Sequence, residues 1–276
     1  MEGPMKIRRT IAGETHSASA WRTGVEGVGV LAIHGFTGSG SDWAPIADGL
    51  SCTVLAPDLL GHGDSPAPED REQYRIQTVA AQCAEWCEAD RGWIVMGYSM
   101  GGRVALRVAS ILGDRLRGLV LISASPGLES PVDRSERMAH DQALAGRIEE
   151  SGVAWFQSHW AEQPIIQSQQ QIPVAIRVAM EDRRKDNRAV GLAGSLRGMG
   201  QGAADPVWSV LSKIDVPTLV ISGEEDGRYT EIAARTATEI NGATHVRIPG
   251  AGHCTHLEAV DSVMATLRPF IGTVSG

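Results

Sequence analysis

Three residues far apart in the chain, Ser99, Asp226 and His253, have the side chains that together convert a hydroxyl into a base or a nucleophile. Ser99 lies in Gly97-Tyr98-Ser99-Met100-Gly101-Gly102-Arg103, a G-x-S-x-G turn directly behind the apolar run Trp93-Ile94-Val95-Met96. Such a turn needs glycines because the serine is held in a strained backbone conformation and a flanking Cβ would collide with the neighbouring strand and helix. A serine hydroxyl keeps its proton until an imidazole accepts it, and His253, in Gly250-Ala251-Gly252-His253, supplies one. Asp226, in Gly223-Glu224-Glu225-Asp226, would fix the ring tautomer and stabilise its cation. Glu224 and Glu225 compete with Asp226, and His256 competes with His253. Asp226 is favoured because it stands furthest past its strand, and His253 because it ends an A-G-H turn.

These residues need a frame that brings three distant loops together. Apolar, β-branched runs at 29–33, 53–56, 93–96, 119–122, 218–221 and 245–248 predict strands. Helical patterns at 75–89, 100–112, 231–241 and 256–270 alternate with them, and the first shows Ile76, Val79, Ala80, Cys83 and Cys87 at helical spacing. Strands alternating with helices imply right-handed crossovers and a mainly parallel sheet covered on both faces. From Ser125 to Asp205 no strand core is visible and Arg, Glu, Gln and Ala dominate. The expected organisation is a core of residues 1–125 and 206–276 with a helical lid, 126–205, folded over the carboxyl ends of the strands, where open α/β sheets bind ligands.

The order Ser, Asp, His is that of the α/β-hydrolases, and the sequence resembles that superfamily in two further loops. His34-Gly35-Phe36-Thr37-Gly38 follows the strand at 29–33, where such folds give one backbone N–H to an oxyanion hole; Phe36 would supply it, and Met100, after the serine, the other. His34 itself is expected to satisfy backbone groups. The run from Ala56 to Ser65 is read as a structural wall, and Asp58 is rejected as the triad acid because it precedes Ser99.

Bulk properties narrow the partners. The 276 residues are 42% hydrophobic and carry a formal net charge of −8, which disfavours nucleic acid and anionic membrane. Met1 to Thr10 has charges but no apolar signal segment, and no long apolar span follows, so a cytoplasmic protein is expected. The four cysteines form no C-x2-C pair; Cys83 and Cys87 read as buried apolar residues, and neither metal nor organic cofactor is expected.

Within the superfamily the chain resembles the 2-succinyl-6-hydroxy-2,4-cyclohexadiene-1-carboxylate synthases, the MenH family of menaquinone biosynthesis, from about Ala32 to Phe270. The resemblance rests on Gly35-Phe36-Thr37-Gly38 through Asp42-Trp43, Tyr98 and Arg103 around the elbow, Ser125-Pro126-Gly127-Leu128 with Arg134-x-x-Arg137, and Gly191-Leu192-Ala193 running into Ser195-Leu196-Arg197-Gly198-Met199-Gly200. It implies a lyase that eliminates pyruvate from a small polycarboxylate, with Ser99 as base. It also implies Tyr98, Arg103, Arg137, Arg184 and Trp160 as substrate-binding residues. Arg103, one turn past Ser99, is expected at the pocket mouth; Arg134 could pair instead with Asp133, Glu136 or Asp141, and Arg184 fits the lid spacing better than Arg183. The lid carries 9 cations and 11 anions, so only particular arginines can be ligands. Ala161 and Ile166 stand where some relatives carry aromatics. The alternative is an ester or carbon–carbon bond hydrolase with Ser99 as nucleophile, which gives Arg103 and Arg137 no role.

Overall fold

The central strands are predominantly apolar because helices cover both faces of their sheet. Along one of them Trp93 and Val95 enter one core while Ile94 and Met96 enter the other. The computed structural model describes residues 4–23 and 25–275. Among them one sheet runs β1 (Met5–Ile11), β2 (Glu14–Trp21), β4 (Val54–Pro57), β3 (Gly29–Ile33), β5 (Trp93–Tyr98), β6 (Leu116–Ile122), β7 (Thr218–Gly223) and β8 (Thr244–Ile248) from edge to edge. The pairings from β4 through β8 are parallel, and β2 is antiparallel to both β1 and β4. The chain has the α/β-hydrolase fold, with the catalytic-type loops leaving the carboxyl ends of β3, β5, β7 and β8.

The hairpin β1–β2 is absent from the sequence expectation, for a physical reason. β1 is an edge strand whose side chains are mostly exposed, so Met5, Ile7, Arg9 and Ile11 share a pattern with charged neighbours. Its turn uses Ala12 at φ 52 and Gly13 at φ 85, and an alanine in that place hides the usual Asn-Gly or Gly-Gly signal. Residues 1–3 of the opening stretch lie outside the described residues.

Helix boundaries differ at three places. The helix expected at 75–89 spans Ile76–Ala84, after which Trp86 turns inward to 2% exposure. The helix expected at 231–241 spans Gly227–Glu239, so that Asp226 is its N-cap. The stretch expected at 256–270 divides into Thr255–Glu258 and Val260–Ser275.

Between β6 and β7 the chain forms the helices Pro131–Ala161, Val174–Lys185 and Ala189–Met199, joined by short helical turns. The first is two helices meeting at Gly152, whose φ of 79 breaks the hydrogen-bond ladder. Leu144, Ile148, Phe156, Leu192 and Leu196 pack together, with Phe36 of the β3 loop against them. That contact seats the helical segment over the carboxyl ends of β3 and β5. Among the described residues no helix is long and apolar enough to cross a membrane.

Candidate active site

The apolar strand β5 ends at Tyr98 and the helix Met100–Leu112 begins two residues later, which leaves Ser99 at φ 51 and ψ −113. This tight reversal depends on two glycines. A Cβ on Gly97 would lie 2.3 Å from the Gly101 carbonyl oxygen, and one on Gly101 would lie 2.2 Å from that of Ile33. The strain lifts the hydroxyl out of the sheet toward the loop after β8.

Ser99 Oγ lies 2.9 Å from His253 Nε2, and His253 Nδ1 lies 2.6 Å from Asp226 Oδ2. An ionised Asp226 accepts from Nδ1–H, so Nε2 is left to accept the serine proton. The competing groups face elsewhere. Glu224 accepts from the Gly250 N–H and pairs with Arg247, and Glu225 accepts from Gln171. His256 is buried between Trp43 and Tyr98, with ring centroids at 4.7 and 4.4 Å, and burial together with nearby His253 pushes its pKa down to about 3. Asp58 accepts from the Gly40 and Asp64 N–H groups and pairs with Lys6, well occupied as a loop anchor.

The loop after β3 is clamped from both sides. His34 Nε2 accepts from the Leu59 N–H, so its Nδ1 carries the proton and donates to the Gly35 carbonyl at 2.7 Å. Thr37 takes φ 69, and its carbonyl accepts from Asn187 at 2.9 Å. Arg183 binds Asp42 Oδ1 through Nε at 2.8 Å and Nη2 at 2.6 Å, which ties the lid to this loop. Phe36 and Met100 both line the cavity over Ser99. The Met100 N–H, in the first helical turn, has no intrahelical acceptor by position.

That cavity holds about 220 Å³ and is lined by Arg103, Arg137 and Arg184 against a single carboxylate, Asp141. In a chain of net charge −8 this is a local inversion of sign. Arg103 is not at the mouth: it is 5% exposed, with Nη2 donating to the Met199 carbonyl at 3.0 Å and Nε unpaired. The side chain of a residue one helical turn past the serine runs along the helix toward the lid's last turn, so it reaches the interior of the cavity. Burial pushes its guanidinium down to about 10, so it is charged at neutral pH at a desolvation cost that an anion would offset.

Arg137 donates to Asp141 at 2.8 Å and to Gln201 at 3.3 Å, whereas Arg134 pairs with Asp205. Of the partners considered for Arg134, Asp141 therefore belongs to Arg137. Burial raises the Asp141 carboxyl against the opposing pull of Arg137. Arg184 donates to Gln169 at 3.0 Å and keeps a buried, unpaired Nε, while its neighbour Arg183 is spent on Asp42.

Trp160 stands edge-on to Phe36 at 5.4 Å and closes one wall with Ile166. Tyr98 forms the opposite wall beside His253, and its hydroxyl is pushed well above its ordinary range by burial and by Cys254. Among the polar lining residues without a counterpart in the sequence expectation are Gln169, Gln201 and Tyr229. Tyr229, three residues after Asp226 on the following helix, could have been found by asking what shares a helix face with the acid. The two glutamines carry no local signal.

Comparison with known proteins adds the following. Residues 30–260 match the family described as alpha/beta hydrolase fold. A provisionally named 2-succinyl-6-hydroxy-2,4-cyclohexadiene-1-carboxylate synthase of Bacillus subtilis is 34% identical over 91% of this chain and 90% of its own length. The synthase of that name from Serratia proteamaculans is 30% identical over 87% of this chain and 91% of its own. The solved structure of MenH from S. aureus superimposes with a TM-score of 0.88 at 28% identity, covering 94% of this chain and 99% of that one.

Proposed function

Because the chain belongs to the α/β-hydrolase family and, within it, to the 2-succinyl-6-hydroxy-2,4-cyclohexadiene-1-carboxylate synthases, we propose that it is a lyase of menaquinone biosynthesis acting on 2-succinyl-5-enolpyruvyl-6-hydroxy-3-cyclohexene-1-carboxylate. It eliminates pyruvate from that compound to leave the synthase product. The observation that carries this reading is the set of three arginines facing one carboxylate above a serine 2.9 Å from His253. A polycarboxylate needs such cations, and a simple ester does not.

In this mechanism His253 takes the proton of Ser99, and Asp226 stabilises the resulting imidazolium. Ser99 Oγ removes the ring proton beside the succinyl ketone. The existing ring double bond shifts by one position, a second forms, and the carbon–oxygen bond to the enolpyruvyl group breaks. Pyruvate leaves as its enolate and is protonated, with His253 able to return the proton. The N–H groups of Phe36 and Met100 stabilise charge that builds on the succinyl ketone oxygen. Arg103, Arg137 and Arg184 hold the carboxylates; Tyr98 and Trp160 wall the ring.

The test supplies the enolpyruvyl substrate, follows pyruvate with lactate dehydrogenase and NADH, and runs a p-nitrophenyl ester in parallel. Fast pyruvate release with weak ester cleavage is expected, and Ser99→Ala should lower pyruvate release by about a thousandfold or more. Robust ester turnover without pyruvate would make Ser99 a nucleophile and overturn the reading.

A further inference from the structure

Beside the cations deep in the cavity stand two buried neutral side chains that the mechanism does not use, Tyr229 and Gln201. Arg137 Nη1 lies 3.3 Å from one end of the Gln201 amide. A guanidinium can only donate, so that end is the carbonyl oxygen. The amide nitrogen then faces Tyr229 and donates to its hydroxyl oxygen at 2.7 Å. With its oxygen engaged as an acceptor, the Tyr229 hydroxyl still carries its own proton, which meets no acceptor among the described residues.

The place of that hydroxyl is fixed by its ring. The Tyr229 ring packs on His253 with centroids 4.5 Å apart and an interplanar angle of 58°. The phenol and the Arg103 guanidinium line the same cavity. The nearby arginines have donors already committed, Arg103 to the Met199 carbonyl and Arg137 to Asp141 and Gln201. A carboxylate has about four lone-pair sites, so it has room for a further donor after meeting the guanidinium groups.

We infer that Tyr229 is a substrate-binding residue whose hydroxyl, aimed by the Gln201 amide, donates a hydrogen bond to the substrate carboxylate held by Arg103 and Arg137. This rests on the reading of the cavity as a site for an anionic substrate. Gln201 is the positioning residue: it joins the Asp141–Arg137 pair to the tyrosine, so the charged and neutral donors converge on one place. Selectivity follows, since a neutral ketone or ester arm at this end cannot use the cations that flank the phenol.

The experiment compares wild type with Tyr229→Phe, which keeps the ring on His253 and removes only the hydroxyl. The probe is 4-oxo-4-phenylbutanoate, an aromatic keto acid, together with its methyl ester, and binding is measured by calorimetry. The acid should bind Tyr229→Phe at least about tenfold more weakly, as expected for a hydrogen bond to a charged group, and the methyl ester should show a much smaller difference. In turnover the loss should appear mainly as a raised KM for pyruvate release. Affinity for the acid within twofold of wild type overturns the inference. So does equal weakening of acid and ester, which indicates a changed cavity shape, or a loss carried by kcat, which indicates support of His253. A wild-type protein that binds the acid but releases no pyruvate overturns the lyase reading instead, while the acid-to-ester contrast still decides the role of Tyr229.

Discussion

Arg103 illustrates how one residue can be recognised by type and still be misplaced. Its position one turn past Ser99 suggests the pocket mouth, yet it is buried with one donor on Met199 and an unpaired Nε. A buried cation with an open donor is a site held ready for an anion, because the ligand offsets desolvation the fold has already incurred. Arg103→Ala should therefore lower kcat/KM for pyruvate release by about 2–3 kcal/mol, roughly 30- to 150-fold. Residual cleavage of a neutral p-nitrophenyl ester should fall much less. Parallel steady-state measurements check this, and equal losses would make Arg103 a brace for the Met199 turn. Ser99, Asp226 and His253 are legible in the sequence because each follows an apolar strand within a glycine-bearing turn. Tyr229 and Gln201 are not, because they meet through a pairing across 28 residues that no spacing rule describes.

At the scale of elements, the same contrast separates the sheet from its additions. Strands buried on both faces announce themselves as apolar runs, while the edge hairpin β1–β2 is half solvated and turns through Ala12. The lid is readable as helical but not in how it is seated, which depends on a close approach of two backbones. A Cβ on Gly191, in the helix Ala189–Met199, would lie 2.2 Å from the Gly61 carbonyl oxygen. Gly61 itself sits at φ 87, a conformation that L side chains rarely adopt, so the loop cannot retreat freely. Gly191→Ala should accordingly destabilise the protein by about 1–3 kcal/mol, as overpacked contacts do, and raise KM by tilting the helix that carries Ser195 and Leu196 into the cavity wall. Gly146→Ala in the helix Pro131–Ala161 meets nothing within 4 Å and should instead add up to about 1 kcal/mol through helix propensity. Urea unfolding of the two variants distinguishes the cases; a Gly191→Ala protein as stable as wild type would mean that the lid rests on its apolar cluster alone.

For the molecule as a whole, charge and burial pull in opposite directions around the site. The net charge of −8 would repel the proposed anionic substrate at a distance, but screening over about 10 Å at 0.1 M salt would leave its capture to the three arginines of the cavity. Two wall residues of that cavity, Phe36 and Tyr98, pack on buried histidines. His62 packs edge-on to His34 and Phe36, with ring centroids at 5.1 and 6.0 Å, and His256 is wedged under Tyr98. Burial, with a smaller push from a neighbouring histidine in each case, lowers both to about 3, whereas an unfolded histidine titrates near 6.5. Between those values the unfolded chain binds protons that the native protein cannot, so stability falls as pH falls through 6.5, by at most about 1.4 kcal/mol per pH unit for each histidine. Above that value the two contribute no slope. Ordinary carboxylates titrate near 4, so a fall in the urea midpoint between about pH 6.5 and 5 reports mainly on histidines. A flat midpoint across that window would mean that these rings accept protons in place, and that the walls of the site yield more readily than their packing implies.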